Sequence, residues 1–176
     1  MLIPFIKMNA QGNDFVILDY FAPELVTLKE LNYSSLALEV CRPHFGIGAD
    51  GLVLLKPSTE FDAQMIIFNA DGSEAEMCGN ALRCVARYLV TSGRVTGPEV
   101  SVETGAGIKK AVVLPAGQVR VNMGTPILDS EAIPVSGSSR RVIAEGIEAA
   151  GERFEFTAVS MGNPHCVIFL EPDREV

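Results

Sequence analysis

The densest cluster of chemically capable residues runs Phe68-Asn69-Ala70-Asp71-Gly72-Ser73-Glu74-Ala75-Glu76-Met77-Cys78-Gly79-Asn80. Asn69-Ala70-Asp71-Gly72-Ser73 is turn chemistry: Asn and Asp bond their own backbone, and Gly supplies positive φ. Cys78-Gly79-Asn80 then sets a thiol, a bare backbone position and an amide at the head of a segment with helical spacing. The first N–H groups of a helix have no internal acceptor and carry partial positive charge. They suit an anionic ligand such as a substrate carboxylate, and at the same place they favour thiolate over thiol. One short segment can therefore hold an α-carboxylate and present a base beside the α-carbon. The plain alternative makes Cys78 a helix cap and the glycines mere turns, and position alone leaves both readings open.

The elements that must position this cluster follow from hydrophobic period. In residues 79–91, Ala81, Leu82, Val85, Ala86, Leu89 and Val90 fall on one broad face at helical spacing. Cys84 and Tyr88 widen that face, and Arg83 and Arg87 leave only a narrow polar edge, so the helix is expected to be mostly buried, with Gly93 stopping it. Residues 2–9 and 14–19 read as strands around an Ala10-Gln11-Gly12-Asn13 turn. A short helix fits 34–42, before Pro43 and the glycine-rich Phe45-Gly46-Ile47-Gly48-Ala49-Asp50-Gly51. Strands follow at about 52–55 and 62–68, and 99–104, 108–114 and 118–123 form a meander whose clearest turn is Pro115-Ala116-Gly117. The class is α+β, with a mixed or antiparallel sheet wrapped around a central buried helix at 79–91.

Composition narrows the function. At 176 residues and 48% hydrophobic, the chain can build one good core and part of a second. A formal charge of -8 without a basic run argues against nucleic acid and anionic membranes as partners. No run reaches the roughly 18 apolar residues of a membrane span, and Met1-Leu2-Ile3-Pro4-Phe5-Ile6-Lys7 shows neither the charged n-region nor the long apolar h-region expected of a signal peptide. The four cysteines, Cys41, Cys78, Cys84 and Cys166, make no CxxC pair, so a metal site is not expected. They are expected as reduced thiols in a cytoplasmic protein. Cys84, on the apolar face, and Cys41, at the end of an amphipathic stretch, read as small buried hydrophobes.

The run Asn69 to Cys84, which continues past Asn80 as Ala81-Leu82-Arg83-Cys84, closely resembles the signature of diaminopimelate epimerases. Three more segments match in order: Gly12-Asn13-Asp14-Phe15, Gly46-Ile47-Gly48-Ala49-Asp50-Gly51 and Gly162-Asn163-Pro164-His165. The resemblance covers essentially the whole chain. It implies a fold of two pseudo-symmetric domains, with residues 1–124 as the first and 125–176 as the opening of the second. It also implies interconversion of LL- and meso-diaminopimelate, in lysine and cell-wall precursor synthesis, with no cofactor and no metal. Two cysteines face opposite sides of the α-carbon; one removes the proton and the other delivers one, as inversion requires. By motif, Cys78 is one acid/base. Gly79 and Asn80 resemble carboxylate-binding residues, and Asn13, Asn69 and Asn163 resemble substrate-binding amides. His165 resembles the histidine that tunes the thiols; standing alone it would read as a loop histidine bonded to backbone. The resemblance leaves a homodimer open.

There are departures. Gly51 stands where some members carry a substrate-contacting glutamine, so no side-chain contact carries over there. Ala81 replaces a common glycine, a change that suits a helix. The family's second cysteine motif is not found. Gly162-Asn163 before an apolar strand echoes Gly12-Asn13 before Phe15-Val16-Ile17-Leu18. Cys78 lies 66 residues after Gly12, and the same offset from Gly162 falls at about 228. On this reading the chain is a truncated product or partial gene, inactive alone. Two alternatives remain: another racemase of the same group, acting on proline, hydroxyproline or a phenazine-type precursor, and a non-catalytic amino-acid-binding half.

Overall fold

The computed structural model describes residues 2–26 and 31–170, so residues 171–176, on which the expected open end of the chain falls, lie outside the described residues. The chain divides into two compact units, Met1–Met123 and Gly124–Val176.

In the first unit, strands β1 (Ile6–Ala10) and β2 (Asn13–Asp19) pair antiparallel with Ala10 opposite Asn13. Only Gln11 and Gly12 are left for the loop, and both have positive φ, 53° and 87°. This is the two-residue turn whose twist matches the flanking strands. The strand expected from residue 2 begins at Ile6 instead; Pro4 has no N–H to give a ladder, and Leu2 is 98% exposed. β3 (Gly51–Lys56) lies parallel to β2, and β4 (Ala63–Asn69) antiparallel to β3. β4 also pairs with the short β5 (Glu74–Ala75) and, in parallel, with β6 (Glu99–Thr104). β7 (Gly107–Val113) and β8 (Val119–Asn122) complete the meander read from the sequence.

The central helix, α3, spans Gly79–Thr91. It touches β1, β2, β4, β6, β7 and β8, which include both edge strands of the sheet. The sheet therefore curls around it. Leu82, Val85, Ala86 and Leu89 are fully buried, against Phe15, Ile17, Val53, Leu55 and Met65 from the strands. Each such leucine contributes roughly 1.5–3 kcal/mol of burial. The alternate residues of the same strands, Val16, Leu18, Leu52 and Leu54, face a second core beneath α1 (Pro23–Val26) and α2 (Tyr33–Val40). Covering on both faces explains why β2 and β3 read as unbroken apolar runs.

α2 is shorter than the 34–42 expected. Asn32 caps it by accepting from the Ser35 N–H at 3.0 Å, and it ends at Val40, before Pro43. α3 ends where Gly93 takes φ 73°; the N–H groups of Arg94 and Val95 both bond the Leu89 carbonyl. This is the left-handed stop that glycine allows. Beyond it, Arg94 pairs with the buried Asp19 at the end of β2, and the Tyr88 hydroxyl donates to the same carboxylate at 2.7 Å.

The second unit holds an antiparallel sheet of β9 (Glu145–Ala149), β10 (Glu152–Ser160) and β11 (Pro164–Ile168). Its small core gathers Ile133, Val142 and Ala158. No described helix is long and apolar enough to cross a membrane.

Candidate active site

The sheet register sets the frame. Phe15 stands opposite Gly51, and Gly51 opposite Asn69, so the starts of β2 and β3 and the end of β4 lie in one row. Asn13, Asp50 and Asn69 therefore share one end of the sheet. Gly51 has to be small: a Cβ there would lie 3.0 Å from the Phe68 carbonyl oxygen and 3.5 Å from the Phe15 ring.

From Asn69 the chain reverses in a tight turn. The Asn69 N–H bonds the Ser73 carbonyl, its side-chain Nδ2 donates to Ser73 Oγ at 2.9 Å, and Gly72 sits at φ 82°. Ser73 donates from both its N–H and its hydroxyl to Asp71, which holds that carboxyl below the usual carboxylate range. The turn is moored to α2, because Ser34 Oγ donates to the Gly72 carbonyl at 2.7 Å. β5 then returns along β4. Met77 enters the core, and Gly105 lies so close to Glu76 that a Cβ would come within 2.9 Å of its Cα. These contacts on both sides of the segment fix where Cys78 falls.

Cys78 occupies the N-cap position of α3, with φ -143° and ψ 116°. Its side chain makes no capping hydrogen bond. The helix ladder starts with the Leu82 N–H to the Cys78 carbonyl at 3.0 Å, so the N–H groups of Gly79, Asn80 and Ala81 precede it. The thiol is half-buried, neither sealed in the core nor open. The capping alternative thus lacks the bond that would define it.

Asn80 and Asn13 meet directly. Asn80 Nδ2 donates to Asn13 Oδ1 at 2.7 Å, Arg83 Nη1 donates to Asn80 Oδ1 at 2.6 Å, and Asn13 Nδ2 donates to Asp50 Oδ2 at 3.3 Å. Asp50 is locked to β2 by two further bonds of 2.8 Å: it accepts from the Asp14 N–H, and its own N–H donates to the Asp14 carbonyl. The fold thus brings Asn13, Asn80 and Cys78–Gly79 to one place, with Asn69 on the same end of the sheet. Arg83, Asp50 and Ser73, which orient the three asparagines, carry no role in the sequence reading. The legible clue was Arg83 at i+3 from Asn80, a spacing at which helical side chains meet.

The other thiols differ. Cys84 is 2% exposed; burial first, then the negative charge of Cys78, pushes its pKa up to about 11. Cys41 is buried and also raised, by burial and then Asp50. Cys166 is exposed on β11 of the second unit. Asn163 and His165 belong to that unit as well, both exposed, and His165 Nδ1 lies 2.9 Å from the Asn163 carbonyl oxygen. Among the described residues no group of three or more His, Cys, Asp or Glu side chains is placed to hold a metal ion.

Residues 5–128 match the family profile described as diaminopimelate epimerase. The chain is 52% identical over 167 residues to the diaminopimelate epimerase of Carboxydothermus hydrogenoformans, covering 95% of this chain and 60% of that protein. It is 48% identical over 171 residues to that of Pelotomaculum thermopropionicum, with the same coverage. The chain thus spans about 60% of the length of the curated relatives it matches. Among solved structures, a probable proline racemase from Agrobacterium radiobacter superposes with a TM-score of 0.66 at 19% identity, over 93% of this chain and 51% of the other. A hydroxyproline epimerase from Agrobacterium vitis gives 0.65, also at 19%, over 93% and 50%. These two likenesses establish the fold: a mixed, curled β-sheet of the epimerase type.

Proposed function

The chain belongs to the diaminopimelate epimerase family, and from that membership we propose that the protein carrying it interconverts LL- and meso-diaminopimelate, with Cys78 as one of two cysteine acid/bases. The observation that carries the reading is the uncapped, half-buried thiol at the head of a 13-residue helix, two residues from an amide tied to Asn13. In this mechanism the helix N-terminus at Gly79 and Asn80 holds the α-carboxylate. Cys78 exchanges the α-proton on one face, and the developing carbanion is stabilised by the same N–H groups. Asn13 and Asn69 hold the rest of the amino acid. Asn163 and His165, in the second unit, take the substrate-binding and thiol-tuning roles that the family resemblance gives them. Cys84 and Cys41 are unsuited to the opposing role, because both are sealed in the cores of the first unit.

The identities near 50% to named diaminopimelate epimerases favour that substrate over proline or hydroxyproline, since the structural likeness to the proline enzymes is at 19% identity. The test is α-proton exchange in heavy water. The gene product carrying this chain should exchange and invert diaminopimelate, should ignore proline, and should lose inversion in Cys78→Ala. Inversion that survives Cys78→Ala defeats the assignment.

A further inference from the structure

The asparagines of the site carry an ambiguity that their neighbours resolve. A side-chain amide can be turned over, exchanging its acceptor oxygen for its donor nitrogen with almost no change of shape. An amide facing a carboxylate must offer N–H. The chain Arg83–Asn80–Asn13–Asp50 ends in two groups that have no choice. A guanidinium only donates, and an ionised carboxylate only accepts. Arg83 beside Asn80 therefore requires Oδ1 there, at 2.6 Å. That turns Asn80 Nδ2 toward Asn13, which must receive it on Oδ1 at 2.7 Å. Asn13 Nδ2 is then directed to Asp50 at 3.3 Å, where only an acceptor waits. Every link agrees, so the chain is polarised from end to end.

Each Nδ2 has two hydrogens and spends one within the chain. Asn80 and Asn13 thus each keep one N–H, and both amide oxygens are committed within the chain. Both end groups are held in place: Asp50 by its paired bonds to Asp14, and Arg83 by lying over the first turn of α3, its Nη1 3.7 Å from where a Gly79 Cβ would stand.

We propose that Arg83 and Asp50 are positioning residues for the reaction, acting through Asn80 and Asn13 by fixing both amides as hydrogen-bond donors toward the substrate, Asn80 at its α-carboxylate and Asn13 at the rest of the amino acid. This rests on the reading of Cys78 and its helix terminus as the substrate site. A purely structural role, stapling the β1–β2 hairpin to α3, would lower stability without changing affinity.

The experiment compares Arg83→Lys, Arg83→Gln, Asp50→Asn and the double variant Arg83→Gln/Asp50→Asn with wild type in the gene product carrying this chain, using diaminopimelate. Lysine still only donates; glutamine and asparagine can do either, so each single variant leaves the other end setting the direction, and only the double variant releases it. The double variant should raise KM about tenfold, the equivalent of one lost oriented hydrogen bond to a charge, with a smaller change in kcat and in Tm, and each single variant should raise it less. Arg83→Lys should keep most of the wild-type affinity. Side-chain amide NMR of Asn13 and Asn80 reads the same effect without turnover: one bonded and one free Nδ2 proton each, the free one moving on addition of diaminopimelate, and the distinction fading in the double variant. If KM and these resonances stay unchanged in the double variant while Cys78→Ala abolishes inversion, the positioning role is overturned and the site stands. If wild type neither binds nor inverts diaminopimelate, the reading of the site fails and this proposal with it.

Discussion

Alkylation of the native protein at pH 8 separates the thiol that can do chemistry from the one that only fills space. Cys84 lies six residues beyond Cys78 on the same helix, yet it is 2% exposed and its pKa is about 11 where an ordinary thiol has 9.0. Below both values that difference leaves about a hundredfold less thiolate, and thiolate is the reacting species. Access through the sealed core slows it further. Treatment with iodoacetamide, quenched at intervals and read cysteine by cysteine in a mass spectrometer, should modify the exposed Cys166 and the half-buried Cys78 first, with Cys84 at least about a hundredfold slower. The same burial has a signed consequence for stability. The folded value is raised, so the contribution is complete below pH 9 and fades as pH climbs through about 11. Cys84→Ala should flatten that alkaline limb. If Cys84 labels within tenfold of Cys166, its role as a sealed packing residue is wrong.

Two further substitutions test the frame. Gly46→Ala would set a Cβ 2.2 Å from the Glu39 carbonyl oxygen and 2.7 Å from that of Val40, backbone atoms that cannot yield; a loss of about 1–3 kcal/mol in urea unfolding is expected, and an unchanged midpoint would contradict it. Asp19→Ala strips the buried partner from Arg94 and from the Tyr88 hydroxyl; because Arg94 keeps 29% side-chain exposure, about 2–4 kcal/mol is expected, below the full figure for a buried pair. Asp19→Asn should retain part of it, and equal losses for the two variants would show that charge is the whole effect.

Much of the fold could be read in advance because its signals are local. The α3 face repeats over more than three turns, and the strands 99–104, 107–113 and 119–122 are separated by clear turn residues. What escaped is nonlocal or faint. The parallel pairing of β2 with β3, and of β4 with β6, depends on segments far apart in sequence. β5 has two residues, too few for any period, and α1 has four. In β9, Glu145-Gly146-Ile147-Glu148-Ala149 has almost no buried face to reveal it. At the site the thiol, the helix head and the asparagines could be named from motif and position. Their orienting partners could not, since Asp50 reaches Asn13 across 37 residues and only folding shows the meeting.

The strand β2 touches α3 at both ends. Asn13 joins Asn80 at the head of the helix, and six residues on, Asp19 clasps Tyr88 and Arg94 at its foot. Six strand residues advance about 20 Å, and the helix from Asn80 to its end at Thr91 advances about 17 Å. The strand is thus a gauge cut to the length of the helix. One residue inserted between Arg83 and Tyr88 would swing the foot by about 100° and lift it about 1.5 Å, so only one clasp could close. Tolerance of insertions and deletions should therefore be lowest in the middle of α3, far from any reacting atom, and the distance from Cys78 gives no measure of how strictly a position is constrained.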